Sequence, residues 1–175
     1  MIYTDPRVLS AGLVGGTVSR HEGNMRPTEA QTPVYEKLNI PAGNILHFHQ
    51  THSTRIITID SPDSARQFQQ LPLQEADAWL FTTSGWGAAI LTADCVPLLL
   101  WTPDGSAFAL AHCGWRGVVS KLPLLTAQAL HQAAGNKPIQ AWLGPHIQSC
   151  CFEVQQDVAE QFSSDHILQI GRSHV

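Results

Sequence analysis

No apolar run in the 175 residues approaches the roughly 20 needed to span a membrane. The opening MIYTDPRVLS has neither the basic nor the apolar region of a signal peptide. Lys and Arg number 10 against 14 Asp and Glu, for a net charge of −4. No basic tract occurs, so the electrostatic footprint of a nucleic-acid binder is missing, and neither nucleic acid nor membrane is expected as a partner. Internal repeats, a clear linker and a CxxC pair are also lacking. The 43% hydrophobic and 14% charged residues make a globular composition, and the length suits one domain over 1–175. Cysteine is sparse: Cys95, Cys113, Cys150 and Cys151. The adjacent pair is awkward for structural disulfides, so free thiols in a reducing cytoplasm are expected.

Local patterns suggest an order of elements. A strand and turn are expected over 7–20, a loop over 21–32, and a helix capped by Thr32-Pro33 running through VYEKLN. RIITI (55–59) is β-branched and reads as a strand, followed by a polar connection over 61–74 and a strand ADAWLF (76–81). AAILTADCVPLLLW (88–101) reads as one strand buried on both faces, with Pro97 demanding a bulge or an outward-facing position. TPDG (102–105) is a type I turn signal and SAFALAHC (106–113) the returning strand. A helix is expected from about 118 to 134, ending at Gly135, with Pro123 as a kink or in its first turn. A strand at 139–144, the loop GPHIQSCC and a short helix in FEVQQDVAEQF follow.

Costly side chains gather at the ends of the two hairpin strands. If TPDG is the centre of a symmetric hairpin, facing residues have numbers that sum to 207, and Cys95 faces His112. Opposed residues share one face of the sheet with Cβ atoms about 4.5–5.5 Å apart, close enough for a thiolate and an imidazole to hold one metal ion. His52, in HQTHS (49–53) with His49 and His47 nearby, is the best third ligand. A Cys/His/His set leaves a fourth zinc position open, and copper suits the same donors. The same hairpin also suits a thiol hydrolase with Cys95 as nucleophile and His112 as base, while a structural thiol and a core histidine are the plainer readings. Asp94, a carboxylate in an apolar strand, needs a partner and serves either as a structural acceptor or in catalysis. Arg116, between Gly114 and Gly117 before a helix, suggests a phosphate or carboxylate site, against a surface salt bridge or, for Trp115, simple packing. The Cys150-Cys151 pair falls in a loop near this end.

The motifs TADCVP, AHCGWRG and LGPHIQSCCFEV, with HQTHSTRIITID and EADAWLFTTSGWGAAILTADC, resemble the YfiH-like family over residues 42–162. That family is also described as multicopper polyphenol oxidase (laccase)-like and as purine nucleoside phosphorylases. The resemblance implies an α/β (α+β) fold with a mixed central sheet and flanking helices. It implies a zinc site at His52, Cys95 and His112, with copper as the alternative. It also implies phosphorolysis of adenosine, inosine and methylthioadenosine, and adenosine deamination; polyphenol oxidation and peptidoglycan editing are further roles attached to the family. VSR (18–20) resembles an early Thr-Arg segment, so Arg20 and Arg116 would match arginines suited to phosphate. From the residues themselves, Cys95, His112, Arg116 and Asp94 are the candidate catalytic groups. The segment 21–32 lacks the family's Ser-Leu-Asn stretch. Where the family continues, this sequence ends in HILQIGRSHV, so lower stability and activity than in an extended form are expected, with an inactive metal-binding module or a homodimer across the open edge as alternatives.

Overall fold

The computed structural model describes residues 2–26 and 28–166; from residue 167 onward the HILQIG and GRSHV stretches lie outside the described residues. β1 (Ile2–Tyr3) leads into a one-turn helix α1 (Pro6–Ser10), and β2 (Thr17–Val18) returns antiparallel to β1. The strand expected over 7–20 is thus helical at its start, because the Asp5 carboxylate accepts from Arg7 N–H and Pro6 supplies a preset helical φ. Helix α2 (Thr28–Lys37) begins four residues before Thr32, so part of the expected loop is helical and Pro33 lies inside the helix. β3 (Ile45–Leu46) and β4 (Ile56–Ile59) follow. The polar connection expected over 61–74 is instead mostly α3 (Pro62–Gln70). Ser61 Oγ accepts from Ser64 N–H, Ser64 Oγ accepts from Ser61 N–H, and Pro62 opens the first turn.

Next come β5 (Ala78–Phe81), β6 (Gly87–Ala88), β7 (Val96–Trp101) and β8 (Phe108–Cys113). The long strand expected over 88–101 is therefore two pieces: β6 pairs in parallel with β3, and β7 starts only at Val96. α4 (Trp115–Val119) and α5 (Leu122–Ala133) divide the helix expected over 118–134. The break falls at Lys121, which has φ 65°, and Pro123 sits in the first turn of α5. β9 (Gln140–Leu143) and α6 (Gln156–Ala159) fall within their expected segments.

The central sheet has five strands in the order β4-β5-β8-β7-β9, parallel between β4 and β5 and antiparallel elsewhere. This is the mixed α/β architecture that the resemblance implied. Alternation along the strands feeds two cores. Ala78, Leu80, Leu98, Leu100, Ala109 and Ala111 pack with Leu122 and Leu130 of α5. Trp79 and Phe81 point the other way and join Leu46, Phe48, Ile57, Ile59 and Ala65 of α3. The starts of β4, β5 and β7 and the ends of β8 and β9 all lie at one end of the sheet.

The β7–β8 register differs from the expected one. Pro97 pairs with His112 and Trp101 with Phe108, so facing numbers sum to 209. The Thr102–Gly105 turn does form, with Gly105 N–H donating to Thr102 O at 2.8 Å, but Thr102 N–H also donates to Ala107 O at 3.0 Å. Thr102 is thereby a strand-like partner of Ala107, and the loop is Pro103 to Ser106. Gly105 at φ 65° and the Asp104 carboxylate, which accepts from Ser106 N–H, shape that loop. Pro97 causes no bulge, since the pairs run unbroken from Val96–Cys113. It lies beyond the last β7–β9 pair, where Gly144 N–H donates to its carbonyl at 2.9 Å.

Gly105 sets the register and also touches α1's end, where a Cβ would collide with Ala11 O. Gly105→Ala adds a left-handed backbone penalty to a backbone clash and is expected to cost about 2 kcal/mol or more. A urea unfolding midpoint like that of the parent would contradict this account.

Candidate metal centre

The β5–β8 pairing runs one step past Ala78–Ala111, since His112 N–H donates to Asp77 O at 2.8 Å. Asp77 and His112 are therefore cross-strand partners on one face. Both are buried, at 0% and 4% exposure, and His112 Nδ1 lies 2.9 Å from Asp77 Oδ1. A carboxylate beside Nδ1 selects the tautomer with the proton there, leaving the Nε2 lone pair free as a ligand. Asp77 Oδ2 meanwhile accepts from Thr51 N–H (3.2 Å), Ser53 N–H (2.6 Å) and the Ser53 hydroxyl (2.8 Å). These residues flank His52, which holds φ 59°, a left-handed conformation uncommon outside glycine. Burial pushes the Asp77 carboxyl up, but the bonds from His112, Ser53 and Thr51 outweigh it and hold the group below its ordinary value.

Cys95 occupies a bend just before β7. Extending the observed register places it opposite Gly114 rather than His112. A shift of two residues preserves the face, so Cys95 remains a diagonal neighbour of His112. The ligand atoms of His52, Cys95 and His112 all lie within 4.8 Å of one another, and the two imidazoles meet edge-on with centroids 4.9 Å apart. Gly114 makes the gathering sterically feasible. A Cβ there would collide with His52 Cδ2 and stand 3.0 Å from His52 Nε2 and 3.2 Å from Cys95 Sγ. Its φ of −72° is open to any residue, so glycine is required for space. Burial, then the nearby Asp94 and Asp77 carboxylates, pushes the Cys95 thiol up, and a thiolate at this position calls for a cation. Two imidazoles and one thiolate are donors suited to zinc or copper, so the residues fit the implied metal.

A family model described as multi-copper polyphenol oxidoreductase laccase matches residues 20–172. The chain belongs to that family. A relative named adenosine deaminase RL5, from an unknown prokaryotic organism, is 32% identical over 145 residues, covering 81% of this chain and 55% of the relative. A purine nucleoside phosphorylase of Deinococcus radiodurans is 31% identical, with 95% of this chain and 66% of the relative covered. The chain thus spans between half and two thirds of the length of these relatives. Among solved structures, Bacillus licheniformis YfiH superposes with a TM-score of 0.68 at 24% identity, over 81% of this chain and 55% of that one. The fold is therefore YfiH-like, as the sequence motifs suggested.

Within this family member the other candidate residues are more dispersed. Asp94 is exposed in the bend before β7 instead of buried in an apolar strand, and its carbonyl accepts from Ile147 N–H at 3.0 Å. That bond ties the GPHIQSCC loop to the site's end of the sheet. Cys150 and Cys151 are exposed on that loop with their sulfurs 3.3 Å apart. Arg116 is exposed on the single-turn α4, so it does not stand before a long helix, and its guanidinium lies 4.3 Å over the Trp115 ring. Arg20 opens a 3-10 turn (Arg20–Glu22), and its side chain lies outside the described residues. His47 is half-buried and His49 exposed, and neither belongs to the trio. Cys113 faces the α5 core, where burial pushes its thiol up to about 12. Among the described residues no helix is long and apolar enough to cross a membrane.

Asp77 carries no candidate role in the sequence reading, Gly114 enters it only as room beside Arg116, and Gln50 only as part of HQTHSTRIITID. The rule that a carboxylate in an apolar strand needs a partner points to Asp77 as strongly as to Asp94, and only Asp77 is buried. Asp77→Asn keeps the shape but loses the charge that fixes the His112 tautomer, and is expected to weaken metal binding 10–100-fold with the sheet intact. Gly114→Ala is expected to abolish stoichiometric metal binding while circular dichroism stays near that of the parent. Parent-like affinity in chelator competition would refute either expectation.

Proposed function

We propose that the chain is a metal-dependent enzyme of purine nucleoside metabolism, with phosphorolysis as its main reaction and adenosine deamination as a second. The observation that carries this reading is the His52–Cys95–His112 trio, in a family whose relatives are named for those two activities. Zinc is the proposed ion, with copper as the alternative on the same donors. When bound, the ion supplies a Lewis acid at the open end of the sheet. Asp77 keeps His112 Nε2 turned to the site, and Gly114 leaves the volume in which the three ligands meet. Arg116 supplies the guanidinium for phosphate, since a planar fork matches its oxygens, and Arg20 is a second candidate. Asp94, exposed next to Cys95, is the proposed acceptor for a substrate hydroxyl or amino group. In phosphorolysis a phosphate oxygen attacks the ribose C1′, the bond from C1′ to the purine nitrogen breaks, and the departing base takes up a proton. The unpaired thiols suit a cytoplasmic setting.

A metal-free thiol hydrolase is the second reading, because Cys95, His112 and Asp77 form a nucleophile–base–orienter series. Two observations favour the metal. A second imidazole, His52, joins the group, and the Cys95 thiol is pushed up rather than down, opposite to an activated nucleophile.

Metal quantification on freshly purified protein, combined with chromatography of inosine incubated with phosphate, tests the proposal. About one zinc per chain and phosphate-dependent hypoxanthine release are expected. Cys95→Ala and His112→Ala should each lose the ion, and metal content equal to the parent's would sink the ligand assignment. Arg116→Ala is expected to raise the phosphate KM about 10-fold or more with the nucleoside KM nearly unchanged, and Arg116→Lys to recover only part of it.

A further inference from the structure

The three ligands come from three separate stretches of chain, and Asp77 links only two of them. It ties the His52 turn to His112 but makes no bond to the segment carrying Cys95. The segment's C-terminal end is set by β7, where Val96 pairs with Cys113 and Asp94 O accepts from Ile147 N–H at 3.0 Å; its N-terminal end is held in the neighbouring ladder. β3 and β6 pair in parallel at Ile45–Gly87 and Leu46–Ala88, and the last backbone bond runs from Ala89 N–H to Leu46 O at 3.1 Å. Beyond it the two chains part: residues 47–53 turn toward Glu75 and Asp77, where His49 N–H donates to Gln74 O at 2.8 Å and Ala76 N–H to His49 O at 3.1 Å. The side chain of Gln50 then continues the ladder. Its Oε1 accepts from Leu91 N–H at 2.7 Å and its Nε2 donates to Leu91 O at 2.8 Å. One amide thus imitates a paired strand residue, satisfying both backbone groups of Leu91, two residues before His52 and four before Cys95.

We infer that Gln50 is a positioning residue of the metal centre: its two-way bond to Leu91 sets how far the Cys95 segment stands from the His52 turn. The inference rests on reading the trio as a metal site. Gln50 governs the spacing between the Cys95 sulfur and the His52 turn, whereas His52 and His112 stay joined through Asp77 and Cys95 stays beside β8 through β7. Loss of the amide should therefore weaken thiolate ligation selectively and leave a lower-affinity site that leans on its histidines. Gln50→Glu retains an acceptor for Leu91 N–H but sets a carboxylate against Leu91 O, so it falls between the parent and Gln50→Ala.

Titration of the metal-free protein with Co(II) distinguishes the ligands, because thiolate ligation gives a sulfur-to-metal charge-transfer band and histidine ligation does not. The expected result for Gln50→Ala is an affinity about 10-fold lower with a reduced charge-transfer band per bound ion. Ser61→Ala, which weakens the remote α3 cap, serves as the control and should match the parent in both readouts. Hydrogen exchange at the Leu91 amide should accelerate in Gln50→Ala but not in Ser61→Ala. Parent-like affinity and band in Gln50→Ala would overturn the inference with the metal reading intact. A parent protein that binds no Co(II) would overturn both. If Gln50→Ala does not fold, Gln50→Glu decides by the same two readouts.

Discussion

The candidate site depends on one buried carboxylate. Asp77 spends one oxygen on the His112 ring and the other on the backbone of the turn that carries His52. It sits where β5 begins, opposite His112 at the end of β8, so sheet pairing itself brings the first contact about. The second contact explains how His52 holds a left-handed backbone: two amide donors and a hydroxyl converge on one Oδ2, and charge-assisted bonds are about twice as strong as neutral ones. A neutral Asn at this place could present only one acceptor oxygen, whereas both Asp77 oxygens accept.

How much of this was legible in the sequence follows from the range of each interaction. Strands 55–59, 76–81 and 106–113 could be read because β-branched or apolar alternation is a local signal. The same locality misled at Thr32-Pro33, where a cap-like pair lies inside α2, and at 61–74, where polar residues hid an amphipathic helix that Ser61-Pro62 announces. The apolar run 88–101 gave no hint that Val96 begins a new strand, since periodicity cannot show which neighbour a residue pairs with. Gln50, Asp77 and Gly114 act through contacts across 19 to 62 positions of chain, and pairing at that separation has no signature in a single sequence.

The hairpin register shows why a turn centred one residue away still gathers the same three residues. The turn was centred one residue too early, because Thr102 pairs with Ala107 instead of belonging to the loop. Moving the centre by one residue moves every facing partner by two, and two is the side-chain period of a strand. Cys95 and His112 therefore stayed on one face, displaced from opposite to diagonal. An error of one in the facing number would have put the thiol on the α5 side with Cys113, in a core where burial holds a sulfur protonated and inert.

Charge balance accounts for why these donors suit a dication. The Asp77 carboxylate is buried against the His112 ring, a hydroxyl and two amides, so with the imidazole serving as a neutral ligand it brings a full negative charge into the site. Ionising Cys95 adds a second close by, which is why burial and the Asp94 and Asp77 carboxylates together resist it. A bound divalent ion would offset that resistance, its two positive charges matching one carboxylate and one thiolate while neutral imidazoles supplied lone pairs without adding charge. The two histidines differ in their supports, since His112 is locked by Asp77 while His52 faces solvent and is held through its backbone. The buried His112 imidazole is the most firmly held of the three donors, and the His52 side is the one open to solvent.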